Sequence, residues 1–345
     1  MQNTWINIKN STKGGNRPIE DFQSDVDAGI STFEKETGLV VDGPVKEAFG
    51  ARGYFASSLR QRTYSHPFPH LMSNGGYIFG CLSVPADIED GKPNFTNLTF
   101  IATDKIILST IGDPHIVYNP SFGGAIVDQY ERHQKNPTES ASGIVLRFIT
   151  YSIAAIDHSM DALSNRLQKN RSAFDVIDRR EGREVEAETK KRQPIVSILD
   201  TEINSLTTVI QQVEIITAKV MNNDLVINDK NGSRSFFSES QRRDSLALYL
   251  QAARLHTYHE NLRFECKNLL QSFSSSRDIA LAFATHRITA YGAAILIPNM
   301  LYDFFGQSWS GMPIWFSNRG LQLSLALTVI YWTFQFWWFK RKKYL

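Results

Sequence analysis

The rhythm of hydrophobic and polar positions changes twice along the chain. In the first third it is short. Thr4–Ile8 (Thr-Trp-Ile-Asn-Ile) alternates with the two-residue period of a strand. Asp21–Gly38 carries early acidic residues and a terminal glycine, which predicts a helix stopping at Gly38; Val45–Arg52 predicts a second, shorter helix. Tyr77–Val84 reads as a strand, and Leu98–Ala102 and Lys105–Ile111, flanking Thr103-Asp104, read as a β-hairpin. His66-Pro-Phe-Pro-His70 excludes regular helix, because each proline lacks a donor and clashes with the preceding turn. This part predicts a small α/β module.

From Ala141 the period lengthens to that of helices. Gly143–Asp178 repeats apolar residues at three/four spacing (Ile144, Phe148, Tyr151, Ile156), and so does Arg180–Met221 (Ile195, Ile198, Ile203, Leu206, Ile210, Val213). The two predict antiparallel neighbours, with a kink or a fresh start at Pro194. The mixed-sign run Arg179–Arg192 reads as a solvated helical segment; Asp200 and Glu202 are candidate metal-sensing carboxylates, but two apart they share no helical face, which favours solvated charge. Asn222–Ser235 reads as a loop. Gln241–Phe305 holds no strong breaker before its own end and predicts one helix of roughly sixty residues, far beyond an ordinary globular helix. Such a helix is explained as a stalk packed against copies of itself.

The final stretch is apolar. Ile288–Phe305 and Leu321–Phe339 are joined by Gly306–Gly320 and followed by Lys340-Arg341-Lys342-Lys343. Between Ala290 and Phe339 only Asp303 and Arg319 are charged. At about 1.5 Å per residue each run spans roughly 27 Å, close to a bilayer's hydrocarbon core, so the pair predicts a transmembrane hairpin. A buried hairpin of a soluble protein is the competing reading. The second run argues against it, with no polar face and an aromatic cluster before four cations, as at a membrane interface. His286 and Arg287 precede the first run and the basic cluster follows the second, which places both ends on the cytoplasmic side.

Composition adds exclusions. The net charge of +2 over 345 residues gives no electrostatic footprint for nucleic acid. The first residues have no basic and apolar signal regions, so the part before the apolar runs is expected in the cytosol. There Cys81 and Cys266 are expected as free thiols, and the glycosylation patterns at Asn94 and Asn97 have no role. No phosphate-binding glycine loop, nucleophile elbow or zinc-protease motif occurs, and no enzymatic activity is expected.

The order and local sequence of the last segment resemble the CorA family of divalent-cation channels, which includes the ZntB-type transporters. A long helix enters the first apolar run, Pro298 lies inside it, Gly306-Gln307-Ser308 closes it, Met312-Pro313 follows in the loop, and the sequence reads Phe339-Lys-Arg-Lys-Lys-Tyr-Leu345 at its end. The resemblance implies an α+β fold: a cytosolic α/β/α domain, a long helical stalk and a two-helix transmembrane hairpin, assembled as a homopentameric funnel around one pore. Two features depart from the family. Its Gly-Met-Asn signature at the outer mouth is Gly306-Gln307-Ser308 here, so a short hydroxyl stands where an amide is expected. Its acidic stalk motif is replaced by Ala253-Arg-Leu-His-Thr-Tyr-His-Glu260, which puts closure by cytosolic magnesium in question.

An ion crossing lipid needs a polar path. Asn299 and Asp303 are four apart and share one helical face, which Leu296, Gly292 and Ile288 or Thr289 continue inward. The family alignment, anchored on Gly306, places the same two residues at the pore. Asp303 would then form a ring of acids that favours cations, and Asn299, Gly306, Gln307 and Ser308 would complete the selective segment. The competing readings are an Asp303–Arg319 pair and an Asn299 that bonds between helices. Ile288 and Leu296 are candidates for hydrophobic gating rings, or for plain helix packing. His256 and His259, with Glu260, are a candidate zinc site on the stalk, and His66 and His70 a further one.

The expected organisation is 1–140 as the cytosolic α/β module, 141–287 as the long-helix region and stalk, and 288–345 as the hairpin, with outer loop 306–320 and a basic cytosolic tail. The expected function is a pentameric membrane channel for a divalent cation. Magnesium is the first candidate, since oxygen ligands suit hard ions. A zinc or other divalent-metal transporter of ZntB type is the nearest alternative. A ligand-regulated membrane effector that conducts poorly, and a structural membrane anchor, are others. The expected partners are the lipid bilayer of an inner or plasma membrane, further copies of the chain and the divalent cation, which is also the candidate regulatory ion. No covalently bound cofactor and no nucleic acid are expected.

Overall fold

The structure is a computed structural model that describes residues 4–9, 11–12, 15–16, 19–50, 70–89, 92–111, 123–135, 137, 139–178, 183–229, 232–306 and 314–341. Its contacts divide the chain into two units: residues 1–173 with 192–270, and residues 174–191 with 271–345.

In the first unit, strands β1 (Thr4–Lys9), β4 (His70–Asn74), β5 (Tyr77–Glu89), β6 (Lys92–Ala102) and β7 (Ile106–Ile111) form one sheet in the order β1-β7-β6-β5-β4. β1 runs parallel to β7 and the other pairs are antiparallel. The expected hairpin is therefore β6–β7, and the first strand joins its far edge. The strands β2 (Ser11–Thr12) and β3 (Gly15–Asn16) form a separate small ribbon.

Strand alternation sends side chains to two covered faces. On one, α1 (Ile19–Thr37) and α2 (Gly43–Gly50) bury Phe22, Val26, Ile30, Phe33, Val45 and Phe49 against Ile8, Phe79, Ile101 and Leu108. Gly38, at φ +69°, turns the chain out of α1 while its amide bonds the Glu34 carbonyl at 2.8 Å. The other face meets α3 (Gly123–Lys135) and α4 (Ala141–Asp178). There Trp5 lies edge-on to Tyr130 and Phe148, at 5.1 and 5.4 Å between ring centroids, and Phe100 sits 5.4 Å from Phe148. The module is thus an α/β/α sandwich. Neither β4 nor α3 stands out in the sequence, and residues 66–69 of the proline-rich approach lie outside the described residues.

Two long helices follow, α4 and α5 (Arg183–Met221), as the spacing predicts. In α5 the helix continues through Pro194. Its buried stripe differs in register from the expected one near that proline. Val196 and Leu199 are buried, whereas Ile195 and Ile198 are 41 % and 42 % exposed; from Ile203 onward the expected residues are buried. Asn222–Ser235 is not all loop: β8 (Val226–Asp229) and β9 (Gly232–Ser235) pair as a hairpin. Its backbone joins the turn before β5, with the Asn228 amide donating to the Gly75 carbonyl at 2.8 Å.

The helix α6 (Glu239–Gly306) is the single long helix that the missing breakers predict. Ser238 caps it. Its hydroxyl accepts from the Gln241 amide at 3.3 Å, and the Gln241 side chain accepts from the Ser238 amide at 2.9 Å, a reciprocal capping box. The helix α7 (Ile314–Arg341) starts ahead of the second apolar run, within the expected connecting loop.

Candidate functional site

Burial along α6 changes character near Phe273. Before it, Ala252, Leu255, His259, Leu262, Cys266, Leu269 and Phe273 recur at three/four spacing and are all buried. From Arg277 to Asp303 every described side chain is exposed, on all faces of the helix. A soluble helix keeps one polar face and buries the other. This segment instead exposes Ile279, Leu281, Phe283, Ile288, Ile295, Leu296 and Met300. The hydroxyls of Thr285 and Thr289 turn back onto the Leu281 and Thr285 carbonyls, both at 2.9 Å, and the exposed charges Arg277, Asp278, His286 and Arg287 all precede Ile288.

Within this apolar surface Asn299 and Asp303 are exposed, one helical turn apart. The helix carries both on one face because it does not break at Pro298, although that residue has no amide to give the Ala294 carbonyl. Ile288 and Leu296 are 72 % and 59 % exposed. Gly306 is the last residue of α6, and Gln307 and Ser308 lie outside the described residues. In α7 the exposed apolar residues likewise surround the helix, among them Leu325, Leu327, Val329, Ile330, Trp332, Phe334, Trp337 and Trp338.

By mean hydropathy, no helix among the described residues is long and apolar enough to cross a membrane. In α7 the physical reason is composition. Gln322, Gln335, Tyr331 and four tryptophans lower the average, although tryptophan and tyrosine are the residues favoured at a lipid–water boundary.

The stalk histidines do not converge. His259 is 1 % exposed and its Nε2–H donates to the Ile203 carbonyl at 2.8 Å, with the Thr207 hydroxyl at 3.4 Å. Burial lowers its pKa, offset in part by that bond and by Glu260, so the ring is held neutral. His256 instead points its Nδ1 at the Glu214 carboxylate of α5, 2.9 Å away. His70 is partly buried in β4 against Phe79, at 5.1 Å between ring centroids, and His66 lies outside the described residues. Among the described residues no group of three His, Cys, Asp or Glu side chains is arranged to hold a metal.

Glu202 corrects the sequence reading. It is 1 % exposed and bonded to Arg166 of α4 at 2.6 Å, so it is a buried partner in a helix-to-helix ion pair and not a solvated charge. The signal was its place within the apolar stripe, between Leu199 and Leu206. Asp200 is partly buried and accepts from Asn204 at 3.0 Å. Both cysteines are free, as expected; burial pushes the Cys81 thiol up to about 11 and the Cys266 thiol up to about 12.

No protein-family model matches the chain, and no curated protein does. Solved structures do. The complete structure of the CorA magnesium transporter from Methanocaldococcus jannaschii aligns at TM-score 0.67 and 11 % identity, covering 99 % of this chain and 91 % of that one. The full-length CmaX protein aligns at TM-score 0.59 and 16 % identity, covering 98 % and 87 %. Over nearly its whole length the chain thus has the fold of the CorA family.

Proposed function

We propose that the chain is a metal-ion transporter of CorA type: a homopentameric membrane channel that passes a divalent cation, magnesium first, down its electrochemical gradient. The observation that carries this reading is the Asn299–Asp303 face, a polar stripe on a continuous helix whose described exposed side chains beyond Arg287 are otherwise mostly apolar, Ile288, Ile295, Leu296 and Met300 among them. An exposed carboxylate amid apolar surface is costly in lipid and is accommodated when it faces water. Surrounding one axis with copies of α6 gives it that water. The remaining apolar surface of α6 and α7 then meets lipid and neighbouring copies.

In this arrangement Asp303 supplies a ring of carboxylates near the outer mouth, which attracts cations and repels anions. Asn299, one turn further in, offers carbonyl oxygens to the ion's water shell. Gly306, Gln307 and Ser308 close the outer end, and Leu296 and Ile288 form apolar rings where the path is closed by dewetting. The hydrophobic runs lie in an inner or plasma membrane, with both chain ends in the cytoplasm. The matched CorA magnesium transporter supports transport over catalysis and magnesium over zinc. The stalk favours regulation that differs from a bound metal: His256 and His259 are engaged with α5.

Magnesium uptake into liposomes containing the purified chain tests the reading. Wild type is expected to load the vesicles, and Asp303→Asn to lose the preference for divalent cations over anions. A wild type that passes no ion overturns it.

A further inference from the structure

One face of α7 combines three chemistries in an order set by the helix. Val329, Thr333, Trp337 and Arg341 follow at four-residue intervals and so form one ladder, with Ile330 and Phe334 beside it. Val329, Ile330, Thr333, Phe334 and Trp337 line a shallow groove of about 450 Å³. Its one hydroxyl is taken up internally, the Thr333 Oγ1 donating to the Val329 carbonyl at 2.7 Å. At its end the Arg341 guanidinium lies over the Trp337 ring, 5.3 Å from the centroid. Lys340, Lys342 and Lys343 adjoin it in sequence.

We propose that this face is a docking site for an anionic phospholipid of the cytoplasmic leaflet. The inference rests on the membrane reading above and adds which lipid is held and where. Dimensions fit. From Val329 to Arg341 the helix rises roughly 18 Å, about one leaflet's share of a hydrocarbon core some 30 Å thick. An acyl chain lies along the groove, and the tryptophan sits at the level of the glycerol backbone. The phosphate meets the guanidinium, which stacks on the indole and keeps its outer N–H groups free to bond phosphate oxygens. Charge complementarity selects the lipid: a zwitterionic headgroup places a choline cation against Arg341, and an anionic one does not.

Native mass spectrometry of the full chain in neutral detergent, with equal phosphatidylglycerol and phosphatidylcholine, tests this. Phosphatidylglycerol is expected to be retained preferentially, and Arg341→Gln to lower the preference about fivefold, the fold-change for about 1 kcal/mol per cation at an anionic surface. Trp337→Leu is expected to lower it as well, and Trp337→Phe to preserve most of it. Equal retention of the two lipids, or Arg341→Gln and Trp337→Leu both behaving as wild type, overturns the proposal. So does efficient disulfide formation between copies of Thr333→Cys, which would show a second chain covering the face. Failure of the wild type to float with vesicles of phosphatidylcholine alone sinks the membrane reading itself, a result separate from lipid choice.

Discussion

Gly80→Ala is expected to loosen the sandwich through a single collision. Gly80 pairs with Phe100 across β5 and β6, and the Phe100 ring lies over the space a side chain would fill. A Cβ built at Gly80 sits 2.1, 2.6 and 2.7 Å from Cζ, Cε1 and Cε2 of that ring. Carbon contacts are comfortable near 3.5–4.0 Å, so the ring must retreat by roughly 1.5 Å. Phe100 is fully buried, and Phe148 and then Trp5 stand behind it. Overpacking of this kind costs about 1–3 kcal/mol, and the upper end applies where the displaced ring has nowhere to go. Against it stands a gain of about 0.4–1 kcal/mol from the stiffer unfolded chain. The net is about 2 kcal/mol, or a melting point lowered by about 4–8 °C for a cooperative unit of this size. Thermal unfolding of the purified chain by circular dichroism measures it. Phe100→Leu alone leaves a cavity, and the double variant, with room for the new methyl, is expected to recover at least about 1 kcal/mol relative to the sum of the singles. A Gly80→Ala melting point within about 1 °C of wild type, or strictly additive singles, refutes the reasoning.

Other consequences are equally direct. Arg166→Met strands the buried Glu202 carboxylate and is expected to cost about 2–4 kcal/mol, below the usual loss for a broken buried pair because Arg166 is 43 % exposed; Arg166→Met with Glu202→Leu is expected to recover most of it in denaturant titrations. His259 has a pKa lowered by burial, so the unfolded chain takes up its proton first. Stability is whole above the ordinary histidine value and falls as pH drops below it, and His259→Leu is expected to flatten that part of the stability–pH curve. The bond from Lys46 and the Val41 amide lower the pKa of Glu34, which contributes stability above the ordinary carboxylate range that is lost as pH falls through the folded value; Glu34→Gln is expected to remove that acid-side loss. Ser238→Ala removes a capping-box acceptor and is expected to cost about 1 kcal/mol, read by thermal unfolding.

The sequence was most informative where one periodicity runs long. The spacing of apolar residues set out α4 and α5, and the absence of breakers set out α6. What it hid depends on pairing in space. The parallel addition of β1 beside β7 joins residues about a hundred positions apart, and no local pattern specifies that edge. Ile195 and Ile198 have the right chemistry for a core, yet the face of α5 near Pro194 turns Val196 and Leu199 inward instead. Glu202 and His259 occupy positions in apolar stripes, and their polarity hid their burial until Arg166 and the Ile203 carbonyl appeared as partners. The stripe of Asn299 and Asp303 was legible because two residues four apart on a helix always share a face. Which way that face points belongs to the assembly.

Thiol accessibility during flux tests that orientation most directly. The native Cys81 and Cys266 thiols, both raised in pKa by burial, leave an introduced cysteine as the reactive one. In liposomes passing magnesium, a membrane-impermeant thiol reagent is predicted to block uptake through Asn299→Cys and Asp303→Cys and to leave Met300→Cys unaffected. Block at residue 300 with free passage at 299 and 303 would contradict a water-filled axis lined by Asn299 and Asp303.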